Sequence, residues 1–207
     1  MTERVLVRID FQNDFVHPDG ALTIGNPDLI DRHQRFAGSL QKGMFSEIID
    51  SRDTHFAETY WQTKEGESFG LHTEYGTWGW QSAAEFKDNI PVRTLYKSTT
   101  NLWNEVNQYA VLQQDWRGKE VFLCGLLSDY CLQEALDGFL RRGANVTVLE
   151  DLCQGINKQI PEILQEPKYE YPVGEGRLRH ITSAQFFRSI LLEKKLNHNL
   201  INASRGL

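Results

Sequence analysis

Asp10, Lys97 and Cys131 are side chains that together can divide the work of acyl transfer among a base, a cation and a nucleophile. Cys131 follows a short apolar run, Val121 to Cys124, which Gly125 is expected to break. From Ser128 onward Tyr130, Ala135, Leu136, Phe139 and Leu140 recur at steps of roughly three and four, which predicts a helix capped by Ser128 or Asp129. Cys131 then falls in the first helical turn. Unpaired N–H groups there favour a thiolate and can hold an oxyanion. Taken alone, each residue also has a plainer reading: a small cysteine packing helix on strand, a loop acid bonding local amides, a solvated lysine at a strand end.

A second group could bind a metal. Asp53-x-His55 puts a carboxylate and an imidazole two residues apart, on the same side of an extended segment. His72 lies in a long irregular stretch, residues 56–80, rich in aromatics and glycine, and could complete the set. A loop aspartate, a solvated histidine and a histidine packed among aromatics are the corresponding plain readings.

What must position these groups is an alternation of strands and helices. Strands are expected at 4–9, 45–50, 92–96, 121–124, 145–150 and 178–181. Helices are expected at 28–42, with Pro27 in the first turn and Leu29, Ile30, Phe36 and Leu40 inward; at 101–114, through Leu102, Val106, Tyr109, Ala110 and Leu112; from Ser128 to Gly143; and at 183–196, through Phe186, Phe187, Ile190, Leu191 and Leu196. Residues 151–176 read as loop-rich, with a short helix over 156–164. This order predicts an α/β fold with a mostly parallel sheet. Asp10, Asp53, Lys97 and Cys131 each stand at or just beyond the carboxyl end of a different expected strand. In such folds those ends converge on one crevice, so four coincidental residues are a less economical reading than one site.

The totals narrow the classes. A chain of 207 residues predicts one domain over 1–207, and a formal charge of −6 argues against nucleic-acid or anionic-membrane partners. No apolar run reaches membrane-spanning length, and the first residues lead straight into a strand, so a cytoplasmic protein is expected. Three cysteines, at 124, 131 and 153, with no C-x-x-C pair, argue against a disulfide framework or a cysteine-rich zinc site. A nucleotide-binding module is disfavoured because no G-x-G-x-x-G or phosphate-loop lysine motif is present.

The chemistry these residues permit is thioester-forming hydrolysis. Asp10 takes the thiol proton and returns it to a leaving amine, no catalytic-histidine motif being at hand. Lys97 orients Asp10 and favours the thiolate, Cys131 attacks a carbonyl, and backbone N–H groups from Leu127 to Cys131 hold the oxyanion.

Taken together, Asp10-Phe-Gln-Asn-Asp-Phe15, Asp53-x-His55, His72 ahead of Gly76-Thr77, Lys97 and Gly125-Leu-Leu-Ser-Asp-Tyr-Cys131 resemble the isochorismatase-like cysteine hydrolases, and within them the nicotinamidases, also called pyrazinamidases. The resemblance runs from about residue 4 to residue 160. It implies a Rossmann-like, six-stranded, mostly parallel sheet flanked by helices, and deamidation of nicotinamide to nicotinate and ammonia for NAD salvage. It implies a triad of Asp10, Lys97 and Cys131. The implied ligands are Asp53, His55 and His72, holding one divalent metal ion, zinc first and iron or manganese as alternatives. A cis peptide at Leu126–Leu127, an oxyanion hole from the Leu127 and Cys131 amides, and a substrate pocket of Phe15, Phe69 and Leu126 also follow from it. The implied partners are a small-molecule amide and further copies of the chain. Three positions depart from the pattern: Leu127 stands for a small residue, Thr73 for a cysteine, and Asp19-Gly20 for a glycine pair. The Glu74–Trp80 run is also unusually aromatic. The rival substrates within the superfamily are an N-carbamoyl amide or isochorismate. From another class, the rival is an interaction protein on the same fold that has lost catalysis.

Overall fold

The computed structural model describes residues 3–205 apart from Gly25, Asp88 and 105–111. Six strands, β1 (Arg4–Ile9), β2 (Glu47–Asp53), β3 (Val92–Lys97), β4 (Glu120–Leu126), β5 (Asn145–Gln154) and β6 (Leu178–Ile181), form one sheet in the order β3-β2-β1-β4-β5-β6. Every neighbouring pair is parallel. The chain moves outward from β1 through β2 to β3, then returns to the other side of β1 as β4. That reversal opens a crevice at the carboxyl ends of β1 and β4.

The sequence explains the layering. Val5, Leu6, Val7 and Ile9 in β1, and Val121, Leu123 and Cys124 in β4, are fully buried, as continuous apolar strands must be when helices cover both faces. The helices among the described residues are α1 (Asn13–Val16), α2 (Pro27–Ser39), α3 (Ala57–Tyr60), α4 (Cys131–Arg141), α5 (Ile160–Ile163), α6 (Pro167–Gly174) and α7 (Ser183–Arg205). In α2, Pro27 occupies the first turn, the Asn26 side chain accepts from the Leu29 N–H, and Leu29, His33, Phe36 and Ala37 turn inward. Phe186 of α7 stacks on Phe45, with ring centroids 5.2 Å apart. Burying such a ring contributes about 1.5–3 kcal/mol. None of the described helices is long and apolar enough to cross a membrane.

A buried ion pair lies inside this apolar frame. Arg8, fully buried, donates through Nε to Asp50 Oδ1 of its register partner at 2.7 Å, through a terminal nitrogen to Ser82 Oγ at 2.8 Å, and to the Ala84 carbonyl. Its guanidinium lies 4.1 Å from the Phe86 ring centroid. Arg8 thereby ties residues 82–86, the return from the long loop, to the sheet.

Several expected boundaries shift. Gly125 does not end β4, which runs on to Leu126; its φ of +111° lets the backbone pass so close to β1 that a Cβ there would meet the Ile9 carbonyl oxygen at 2.1 Å. The helix after β4 starts at Cys131 rather than Ser128, with Tyr130 as the capping position and no side-chain cap. β2 and β5 extend three and four residues beyond expectation, because their ends are held by the site described below. The loop-rich stretch after β5 holds two short helices, α5 and α6. The expected helix at 101–114 is seen only as a 3-10 turn at Leu102–Asn104, and its centre lies outside the described residues.

Candidate active site

Strand ends carry the first three groups to one point. Asp10 follows β1, Lys97 ends β3, and Cys131 is the first residue of α4 behind β4. Lys97 Nζ lies 2.7 Å from Asp10 Oδ2, 3.3 Å from Asp53 Oδ1 and 3.6 Å from Cys131 Sγ, and it also donates to the Thr99 carbonyl at 3.0 Å. Ser51 Oγ donates to Asp10 Oδ1 at 2.7 Å. Asp10 takes the left-handed conformation, φ 49°, which turns its carboxylate back under the crevice. Burial drives the charges here: it pushes the Asp10 carboxyl up against the pull of Lys97, and it pushes the Cys131 thiol well up although Lys97 opposes it. Lys97 remains firmly protonated, since Asp10 and Asp53 outweigh its own desolvation. Burial therefore keeps the resting cysteine as a thiol, with Lys97 as its hydrogen-bond donor. The expected bias of the helix start toward thiolate is overridden by desolvation.

Beside this triad is a metal-type cluster. Ligand atoms of Asp53, His55, Glu65 and His72 all lie within 4.8 Å of one another. Nε2 of His55 and of His72 approach Asp53 Oδ2 to 2.9 and 3.3 Å, yet both nitrogens are buried and neither is aligned for a hydrogen bond. Glu65 lies 3.8 and 3.7 Å from the same two nitrogens. Two orphaned imidazole nitrogens facing two carboxylates fit a divalent cation of the zinc, iron or manganese type. Burial opposes the Asp53 charge, but Lys97 and the two imidazoles hold its carboxyl well below the ordinary range.

The surroundings aim these ligands. Gln12 clamps the Asp53 backbone from both sides, donating to its carbonyl and accepting from its N–H, each at 2.8 Å. His72 Nδ1 meets the Gly70 carbonyl at 2.8 Å and Tyr60 Oη at 3.2 Å, which leaves Nε2 for the cluster. Thr73, at φ 43°, is a β-branched residue in the left-handed region. It is held there by its N–H to Asp14 Oδ2 at 2.7 Å, and its hydroxyl donates to Asp53 Oδ2 at 3.0 Å.

A cavity of about 370 Å³ opens over the site. Asp10, Asp53, His72, Cys131, Phe15, Phe69, Leu126 and Leu127 all line it; Lys97 and His55 stand behind that wall. Leu126–Leu127 is joined by a cis peptide. The Cys131 N–H, as the first of α4, has no acceptor within its helix.

Three contributors escaped the sequence reading. Glu65 was one acid among several in an irregular loop. Asp14 ties Ala21 to Thr73 through its two carboxylate oxygens. Asp129, expected as a cap, instead accepts the N–H groups of Ile156, Asn157 and Lys158 and so fixes the far wall of the cavity. A second acid inside the Asp10–Phe15 motif and a first acid before Cys131 were the available signals, but no local pattern says which distant amides they meet.

The nicotinamidase of Saccharomyces cerevisiae is 24% identical over 209 residues, covering 81% of this chain and 94% of that protein. The pyrazinamidase of Pyrococcus horikoshii in complex with zinc superposes with a TM-score of 0.64 at 20% identity, over 87% of this chain and 99% of its own. The N-carbamoylsarcosine amidase of Thermoplasma acidophilum does so with 0.60 at 19% identity, over 87% and 96%. Residues 4–162, which contain every strand end that builds the crevice, match the isochorismatase domain, and the chain belongs to that family of hydrolases.

Proposed function

We propose that this protein is a metal-bearing cysteine amidohydrolase that converts nicotinamide to nicotinate and ammonia, serving NAD salvage, with the triad, metal ligands and ring walls acting within one hydrolase domain. The observation that carries the reading is the contact of Lys97 with Asp10 and Cys131, immediately beside two buried imidazoles whose Nε2 atoms lack hydrogen-bond partners.

Asp10 removes the proton from Cys131 as the sulfur attacks the carboxamide carbon. Lys97, 3.6 Å from the sulfur, compensates the negative charge that develops there. The Leu127 and Cys131 N–H groups receive the oxyanion. The tetrahedral adduct collapses, the C–N bond breaks, and Asp10 returns its proton to the leaving ammonia. A water molecule, deprotonated by Asp10, then cleaves the thioester to release the carboxylate and restore the thiol. A cation held by Asp53, His55, His72 and Glu65 would supply a Lewis-acidic anchor for a ring nitrogen or water. Phe15 and Phe69 flank the ring. Zinc is the preferred ion, supported by the donor set and by the zinc in the Pyrococcus pyrazinamidase. The N-carbamoyl alternative finds support in the Thermoplasma relative. Against it, among the described residues no arginine or lysine lines the cavity to meet the carboxylate such a substrate carries.

Ammonia release measured over nicotinamide, pyrazinamide and N-carbamoyl amino acids tests the reading. The first two are expected to turn over and the last to be poor. Cys131→Ala should abolish turnover with an unchanged melting temperature, and mass spectrometry of the wild type should trap an acyl adduct on Cys131. Full activity in the alanine variant, or turnover confined to N-carbamoyl compounds, would sink the proposal.

A further inference from the structure

The cavity is asymmetric. The metal-type cluster stands over β2, Asp10 and Cys131 over β1 and β4, and Gln154, the last residue of β5, lines the far end with Gly155 and Ile156. Three strand spacings separate β2 from β5, about 14 Å. A small carboxamide anchored at the cluster and presented to Cys131 leaves the β5 end of this space for a further group.

The chemistry offered there follows from a chain of hydrogen bonds. Asn26 caps α2, and the cap fixes which end of its side chain faces which way: Oδ1 accepts from the Leu29 N–H at 3.3 Å. Its Nδ2 therefore faces Gln154 and donates to Gln154 Oε1. With its oxygen engaged, Gln154 can turn only its Nε2 group elsewhere, and among the described residues that group donates to no protein atom. The Gln154 backbone is fixed as well, since its carbonyl accepts from the Ser128 N–H at 2.9 Å. A helix cap thus sets the polarity of a side chain in the cavity wall and leaves the Gln154 Nε2 group as a donor at a largely apolar end formed by Leu22, Thr23, Ile24, Leu127 and Ile156.

We propose that Gln154 is a specificity-determining residue whose Nε2 donates to a hydrogen-bond acceptor on the substrate other than the scissile carboxamide. The enzyme accordingly accepts nicotinamide and favours ring carboxamides that also carry an acceptor substituent on the side away from the metal-type cluster. This rests on the amide-hydrolase reading above and adds the class of substituent.

The test compares nicotinamides bearing a methoxy group at each free ring carbon with their ethyl isosteres, which match in size and lack the acceptor. At one ring position the wild type should show a KM for methoxy about three- to tenfold below that for ethyl, the range of one neutral hydrogen bond. Two variants then separate donor loss from damage to the fold. Gln154→Glu keeps an oxygen for Asn26 but offers the substrate no N–H. Asn26→Asp keeps the cap on Leu29 but presents an acceptor to Gln154, forcing the amide to turn over and show its oxygen to the cavity. Both should erase or invert the methoxy preference, read as the ratio of the two KM values. No preference in the wild type at any position, or a preference retained in both variants, would overturn the role of Gln154 while leaving the amidase reading intact. Absence of turnover for every ring carboxamide would overturn both.

Discussion

Asp10, Lys97 and Cys131 were legible as single letters because each sits where an apolar run stops, and a parallel sheet converts that position into a shared place. Glu65 was not, since its meeting with His55 and His72 depends on how an irregular loop folds back over β2. This makes Glu65 a sharp probe. Glu65→Gln should retain the fold and lower metal affinity by at least about tenfold, whereas His72→Ala should leave little metal bound. Elemental analysis after dialysis against a weak chelator, with add-back of zinc, iron or manganese, reads both. Metal content equal to wild type in Glu65→Gln would remove it from the cluster. Thr73, which departs from the family pattern, has a structural role: its hydroxyl reaches the same Asp53 oxygen that faces both imidazoles.

Elements were predicted well in kind and less well in extent. Each of the six expected strands exists, but β4 runs through Gly125, where a glycine that looks like a breaker is there for closeness to β1. Periodicity cannot tell those two uses of glycine apart. Gly125→Ala should cost about 3 kcal/mol or more, from an unfavourable φ added to overlap with the Ile9 carbonyl; soluble yield and melting temperature would show it. Asp129 misled in a similar way. Its position suggested a helix cap, yet its carboxylate collects three N–H groups from residues 156–158. Burial raises that carboxyl, the backbone donors outweigh it, and the net result lies below the ordinary 3.8. The sign is then clear: the tether stabilises the fold above that pH and is lost as the pH falls through the lower, folded value. Asp129→Ala should cost about 2 kcal/mol at neutral pH, a drop in melting temperature of about 4–8 °C, with a smaller difference in strong acid. An equal difference at all pH values would mean that the hydrogen bonds are not the source.

At the scale of the molecule, alternation and burial were enough to give the fold class, and the carboxyl-end rule gave the crevice. Side-chain-mediated ties across the sheet were not readable. Arg8 looks like a surface charge interrupting an apolar strand, and only the pairing of β1 with β2 reveals Asp50 as its partner. The two middle strands raise a question of time. β1 pairs with β4 from Arg4 opposite Glu120 to Ile9 opposite Gly125, segments more than a hundred residues apart in the chain. Closing so large a loop carries an entropic cost before any contact rewards it, and sheets built this way assemble slowly. The crevice exists only once that closure is made, because Asp10 belongs to one partner and Cys131 follows the other. During refolding from denaturant, helical circular dichroism should therefore recover first. Modification of Cys131 by a substrate-like acylating reagent should recover only with the last, slowest phase, even with metal present throughout. Cys131 and Asp10 become a clock for the final step of folding, and a Cys131 that reacted specifically in the early phase would show that the two halves of the sheet meet sooner than their separation suggests.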